Sequence, residues 1–474
     1  MNLPGFKRWT AGVFCALLVA MAHAGDKPAK PSGPVNVSDT SERFEISPVP
    51  VPPGPFDLQI CFELAVLRSE TLGMKEEDIR VAEARYWQAV GSVLPKIHLM
   101  ASEQWQNKSG GSRSSVFGGS FDSGSSTGDF SSGGGSSDRF NSRINVKQPL
   151  FNGFREFNAA AAGKADIEAR RHDKERSFQL LYLDVADVFY QILMYEGDLR
   201  VLGEIRDALD RRVGELEKRV SLGKSRPGEL LAAKSDIAET QVTVEQIRGL
   251  LGASRELLSF LTGVPAAALK LADAKSLPTA EAVEIYLRNT GERPDILAAI
   301  EAERSARRQL SAAKSGHWPT ISAEGNYYLK EHPESDREWN IFLTFDLPLF
   351  EGGVIEARVT EQKALVRSSE LNLGQLRRTA DKDVKTAYNN FISSMAQVAS
   401  LKEAEKVTAQ NFEIQSRDYE LGIVANLDVL DALRQKNEAS RRLLDAEMDA
   451  RVNLIRLHVA AGRLEDQPAG AKSK

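Results

Sequence analysis

Two stretches of this chain match each other at a constant separation of 199 residues. Pro149-Leu150-Phe151-Asn152-Gly153 aligns with Pro348-Leu349-Phe350-Glu351-Gly352, and the match runs on to Gly263 against Gly462. In between, Asp184-Val185 meets Asp383-Val384, Leu222-Gly223 meets Leu421-Gly422 and Glu239 meets Glu438, without an insertion or deletion. Loops absorb length changes cheaply, so a repeat that keeps its length while its side chains diverge is long regular structure whose copies lie side by side. The period is far too long for a solenoid unit and marks an internal duplication.

Upstream, Leu94-Pro95-Lys96-Ile97 matches Trp318-Pro319-Thr320-Ile321 and Arg80 matches Arg304, but at an offset of 224, so the first copy carries 25 extra residues between Pro95 and Pro149. That interval contains residues 109–137, of which 21 of 29 are Gly or Ser. Such a composition cannot bury a core and behaves as flexible coil, which makes the insertion a loop.

At the start, Lys7 and Arg8 precede an apolar run to Ala22, and Ala22-His23-Ala24 fits a small-residue cleavage site, so residues 1–24 read as a secretory signal peptide. Cys15 lies inside that run in a context unlike a lipoprotein cleavage site. Without the signal the chain has 59 basic and 66 acidic residues, a net charge of −7, opposite to that of a nucleic-acid binder. The single remaining cysteine, Cys61, allows no intramolecular disulfide. No later run of about 18 apolar residues offers a transmembrane helix.

Residues 25–56 carry eight prolines and read as a disordered tether. The first repeat, 57–263, opens helically with a break near Gly73. A hairpin follows at about 96–148. Ile97, Leu99 and Ala101 alternate with His98 and Ser102, and Ile144 and Val146 with Arg143, Asn145 and Lys147, the pattern of half-buried strands. Residues 153–222 contain no proline and predict a helix roughly 100 Å long. Val185, Ile192 and Leu199, and Val188, Tyr195, Leu202, Leu209 and Leu216, recur every seven residues, a seam that calls for helix partners. Gly223 ends this helix and Pro227 starts a return helix, 227–262. A connector, 264–279, leads to the second repeat, 280–463: a helix start at Pro278-Thr279-Ala280-Glu281, a hairpin at about 320–347, a long helix 352–421 and a return helix 426–461. The tail, 464–474, reads as disordered.

This doubled order resembles the TolC-like family of outer-membrane efflux and secretion channels. The resemblance rests on Leu94-Pro95 and Trp318-Pro319 before the first strands, Gln148-Pro149-Leu150-Phe151-Asn152-Gly153 and Leu347-Pro348-Leu349-Phe350-Glu351-Gly352 after the second, Arg293-Pro294-Asp295, and Tyr419-Glu420-Leu421-Gly422 with Leu427-Asp428-Val429-Leu430-Asp431-Ala432. It implies a mainly α chain with transmembrane β, which trimerises into a 12-stranded β-barrel on an α-helical barrel. Independently, four strands cannot close a barrel, and an open sheet edge is not tolerated in lipid, so other copies must close it. The resemblance supplies the number three.

The family further implies a homotrimeric porin-like duct in the cell outer membrane that extends into the periplasm, with outer-membrane lipid around its barrel. A periplasmic adaptor and an inner-membrane pump, proton-driven or ABC, open it for efflux or type I secretion. Leu222, Gly223, Leu421 and Gly422 would then form the adaptor-contact tips; locally, the glycines are helix caps. Asp428 and Asp431 match a ring of acidic residues that narrows the pore, although an Asp near a helix N-terminus is also favoured by the helix dipole. Tyr419 matches a latch residue, but Val424 stands where the family's arginine is expected, and Glu229 falls at an acidic latch position. A periplasmic adaptor or a coiled-coil scaffold shares the long helices but lacks the paired hairpins. The sequence predicts no catalytic constellation, metal site, cofactor or nucleic-acid partner: His98, His172, His317, His332 and His458 show no ligand spacing.

Overall fold

The computed structural model describes residues 54–104, 139–273, 281–332 and 338–464. The signal, most of the proline-rich stretch, the Gly/Ser loop, Pro278 to Ala280 and nearly all of the tail lie outside them. In order, the elements are α1 (Leu58–Arg68), α2 (Glu70–Gly91), β1 (Lys96–Gln104), β2 (Arg139–Asn152), α3 (Arg155–Ser221) and α4 (Pro227–Thr262), then α5 (Val283–Arg288), α6 (Pro294–Lys314), β3 (Thr320–His332), β4 (Trp339–Asp346), α7 (Val354–Glu420) and α8 (Asn426–Ala460).

Both long helices have 67 residues, roughly 100 Å of helix. The heptad seam of α3 is buried at Val185, Val188, Ile192, Leu202, Leu209 and Leu216. Its partners change along its length: α2 and α6 pack against the upper half, α4 and α8 against the lower. The wall is four helices wide at both levels, in the order α2–α3–α6–α7 above and α4–α3–α8–α7 below.

Short helices stack end to end beside the long ones. Gly462 closes α8 at φ 77°, and a Cβ there would lie 3.1 Å from the Cα of Arg293, the residue capping α6. Arg293 is buried, pairs with Asp295 at 2.6 Å and Asp383 at 3.6 Å, and donates to the carbonyl of Ala460 at 3.2 Å. This explains the Arg293-Pro294-Asp295 motif. Proline starts the helix without losing a donor, and the arginine ties α6 to the end of α8 and to α7.

Two details differ from the sequence reading. The helical break falls at Ser69, whose hydroxyl caps α2 by accepting from the N–H of Leu72 at 3.3 Å, and Gly73 lies inside α2. A side-chain cap sets a helix start more firmly than one glycine interrupts a helix. Phe56, assigned to the tether, is buried and bridges in parallel to Leu271 in the connector.

The four strands form one antiparallel sheet in the order β1-β2-β3-β4, so β2 and β3 join the repeats. Ile97, Val146, Gly325 and Ile341 fall in one row across it, and Asn145, Asn326 and Asn340 in the next. The amide row is linked side chain to side chain, Asn145 to Asn326 at 2.9 Å and Asn326 to Asn340 at 3.0 Å, which pins the register of three strands. The inner strands β2 and β3 are largely half-buried, but the edge strands are not: Ile97 and Leu99 of β1 and Leu343 of β4 are 69%, 72% and 70% exposed. Their alternation marks an apolar face that no other described part of the chain covers.

Gly153 and Gly352 test how tightly the sheet joins the helices. Both have φ near +60°, but a Cβ on Gly153 would lie 2.7 Å from the Cβ of Trp318 and 2.8 Å from the carbonyl of Ser315, whereas Gly352 faces open space. Gly352→Ala should cost about 1–2 kcal/mol, the left-handed backbone penalty alone, and Gly153→Ala at least about 3 kcal/mol. Denaturation midpoints in detergent check the order; equal losses contradict it. Cys61 is fully buried, and burial pushes its thiol up to about 12, so maleimide should label it only after unfolding.

Candidate functional site

The two ends farthest from the sheet are built alike. After α3, the N–H of Lys224 reaches the carbonyl of Arg219 at 2.8 Å and Gly223 that of Val220 at 3.0 Å. After α7, Ile423 reaches Asp418 at 2.9 Å and Gly422 reaches Tyr419 at 3.0 Å. These paired bonds require the left-handed backbone of Gly223 (φ 69°) and Gly422 (φ 74°). They leave Leu222, Leu421, Ile423 and Leu427 exposed on the tips.

The acidic candidates occupy matching positions. Asp428 is exposed and its carboxylate accepts from the N–H of Ala425 at 2.9 Å, capping α8. Glu229, its counterpart in the first repeat, accepts from the hydroxyl of Ser225 at 2.7 Å near the start of α4. Asp431 is exposed and pairs with Arg434, one turn on, at 3.4 Å. Neither Glu229 nor the aspartates reach Tyr419 through a hydrogen bond or ion pair among the described residues.

Tyr419 has partners that the sequence did not suggest. It is 5% exposed, in a cluster with Leu216, Leu430 and Leu433, and two guanidiniums of α3 lie over its ring, Arg212 at 3.6 Å and Arg219 at 4.5 Å from the centroid. Arg212 also donates to the side chain of Asn426, the buried first residue of α8, at 2.7 Å. One side chain thus ties α3 to the end of α7 and the start of α8. Val424 packs against the same apolar cluster, so the cations come from the other repeat. The available signal was Arg212 and Arg219 seven residues apart, each three beyond the seam leucines Leu209 and Leu216.

Above the tips, α8 is fastened to the first repeat by cross-repeat ion pairs. Arg434 pairs with Asp236 of α4, and Arg441 grips Asp198 of α3 with both carboxylate oxygens, at 3.1 and 3.0 Å. Both aspartates are buried. One turn beyond Arg441, Asp445 has a buried oxygen without a partner. Burial and the charge of Asp198 push its carboxyl up to about 6, against the pull of Arg441 and with a small addition from Asp449.

This geometry is a duplicated helical wall ending in capped tips, with a sheet whose apolar face no described residue covers. The profile of the outer membrane efflux protein family matches residues 62–264 and 289–463. The chain belongs to that family. It is 24% identical to outer membrane protein TolC of Vibrio cholerae, across 70% of this chain and 78% of TolC. It is also 25% identical to the cation efflux system protein CusC of Escherichia coli, across 64% of this chain and 69% of CusC. Its fold matches the outer membrane protein VceC of Vibrio cholerae with a TM-score of 0.74 at 19% identity, over 86% of this chain and 96% of VceC. It matches the open state of the MtrE outer membrane channel of Neisseria gonorrhoeae with a TM-score of 0.71 at 18% identity, over 86% and 89%. This member of the outer membrane efflux protein family is therefore an outer-membrane exit duct that extends into the periplasm.

Asp445 gives a pH signature of the wall. Its folded-state pKa lies above the ordinary carboxyl value, so the folded protein holds this proton more tightly than the unfolded chain. Its stabilising contribution is full below about pH 4 and is lost as pH rises through about 6, at most about 3 kcal/mol. Asp445→Asn should raise the melting temperature at pH 8 and leave it nearly unchanged at pH 4. A variant equally shifted at both contradicts the assignment.

Proposed function

We propose that three copies of this chain close one twelve-stranded barrel and one helical tunnel, and that a periplasmic adaptor and an inner-membrane pump, proton-driven or ABC, open the tunnel at Gly223 and Gly422 for efflux or type I secretion. The duct has no energy source of its own. What carries the reading is the sheet: β1 and β4 have no further strand partner among the described residues, and one face is apolar and uncovered. In hydrocarbon every unpaired backbone group costs several kcal/mol, so such a sheet persists only when neighbouring copies supply its missing partners.

The gate is the clasp at Tyr419. Opening requires the α7–α8 hairpin to swing away from α3, and Arg212 and Arg219 hold it through the ring of Tyr419 and through Asn426. A cation over a desolvated aromatic ring contributes about 1–2 kcal/mol. Three clasps therefore oppose opening by several kcal/mol, within reach of a docked adaptor. Asp428 and Asp431 ring the entrance when three chains assemble and favour cations there. Glu229 stiffens the neighbouring tip through Ser225. The exposed Leu222 and Leu421 receive the adaptor.

Planar-bilayer recording separates these roles. The wild-type trimer should show small closed-state steps, Tyr419→Ala and Arg212→Ala should raise conductance several-fold, and Asp428→Asn with Asp431→Asn should reduce cation selectivity. Unchanged conductance in both clasp variants contradicts the gate; absence of any steps contradicts the duct.

A further inference from the structure

Between the sheet and the middle of the wall lies a cavity of about 870 Å3 bounded by α2, α3, α6 and α7. Its ionisable lining is Arg85, Arg155, Arg170 and Arg358, with Asp166 and Glu361. Arg170 is taken up by Asp166 at 3.8 Å and Asp173 at 3.9 Å. Among the described residues, Arg85, Arg155 and Arg358 have no carboxylate within 4 Å and no hydrogen-bond acceptor, in a chain whose overall charge is negative. Three elements, α2, α3 and α7, thus deliver three uncompensated guanidiniums against one free carboxylate, that of Glu361, to one concave surface.

The surface faces the lumen. On α3, Arg155, Ala159, Asp166 and Arg170 share one stripe, and Phe157, Lys164 and Glu168 the opposite one. One flank holds α2, through Gly163 against Tyr86 and Arg171 with Glu83, and the other holds α6. On the sheet, Tyr328 shares the face of Asn326 and sends its N–H to Glu338, beyond the start of β4, which fixes the lateral direction in which the strands advance when that polar face is viewed. The helices advance in the same order as the strands they adjoin. With right-handed helices, the arginine stripe then falls on the side of Asn145 and Asn326, away from Ile97 and Leu343.

The repeats make the charge specific to these positions. Arg358 corresponds to Ala159, Glu361 to Ala162 and Arg85 to Gln309, and all six residues line the cavity. The duplication therefore supplies the concave shape from both copies, while one member of each of two pairs supplies a cation. Guanidinium forks match carboxylate and phosphate oxygens two at a time, and several around one concavity select ligands with more than one negative charge.

We infer that this cleft is an anion-binding station in the lumen beneath the barrel, which takes solutes bearing several phosphate or carboxylate groups on their way out. It rests on the duct reading, and adds to the acidic entrance a second station of opposite sign. In the assembled trimer nine such arginines face one bore.

Titration of the purified full-length trimer with inorganic tripolyphosphate, by calorimetry at low salt, tests it. Wild type should bind, affinity should fall steeply as salt rises, Arg155→Gln with Arg358→Gln should weaken binding at least tenfold, and Glu361→Gln should strengthen it. Absence of binding by wild type, or equal binding by the double variant, overturns the station. Bilayer steps recorded from the same samples keep the readings apart: a conducting trimer that ignores tripolyphosphate refutes the station alone, whereas a non-conducting protein refutes the duct.

Discussion

Backbone hydrogen bonds at the two edges of the sheet govern the rest of this molecule. An apolar face formed by Ile97, Leu99, Ile341, Leu343 and Phe345 demands hydrocarbon, and hydrocarbon does not tolerate the edges of β1 and β4, which are unpaired among the described residues. The chain cannot satisfy both demands alone. Closure by identical copies satisfies them together, and the helices that leave the strands are then arranged around an axis. The tunnel follows from the barrel, and the end-to-end stacking of α6 on α8 at Arg293 and Gly462 extends the wall without a gap.

Packing and charge divide the work along that wall. Apolar seams hold α3 to its four neighbours, and charged pairs with a buried member fix the junctions: Arg293 with Asp295 and Asp383 inside the second repeat, and Arg441 with Asp198 between the repeats. Removing one partner of such a pair leaves a buried charge unpaired, which is far costlier than losing a surface contact. The clasp at Tyr419 is different in kind. Its cations sit over a ring, the carboxylate paired with Arg212 being Glu215 of the same helix at 3.1 Å, and can separate from the ring as water enters, which suits an element meant to open.

The fold class was legible because duplication and punctuation are local signals. Two offsets expose the repeats, glycines such as Gly223 and Gly422 mark positive-φ caps, and Pro227 and Pro294 sit in the first positions of their helices. What was not legible depends on partners far apart in sequence. Ser69 outranks Gly73 as a boundary because its hydroxyl finds an N–H, and Phe56 joins the core because Lys270 and Ala272, on either side of Leu271, offer its backbone an acceptor and a donor. The exposed alternation of β1 and β4 is indistinguishable from half-burial until it is seen that no described residue covers it. At the tip, Tyr419 stood out as a residue, but its cations lie about two hundred positions away in the other repeat; likewise Asp428 combines a matched position with an ordinary helix cap, and both roles fit one carboxylate.

Edge pairing between chains is the most direct test of this account. A cysteine at Leu99 of β1 would be combined in turn with one at each position of β4 from Trp339 to Asp346, Cys61 being buried and unavailable, and the products oxidised in native outer membranes. The account predicts covalent dimers and trimers at β4 positions of alternating parity, set by the pairing register. Monomer alone at every position would contradict a barrel closed by copies of the chain.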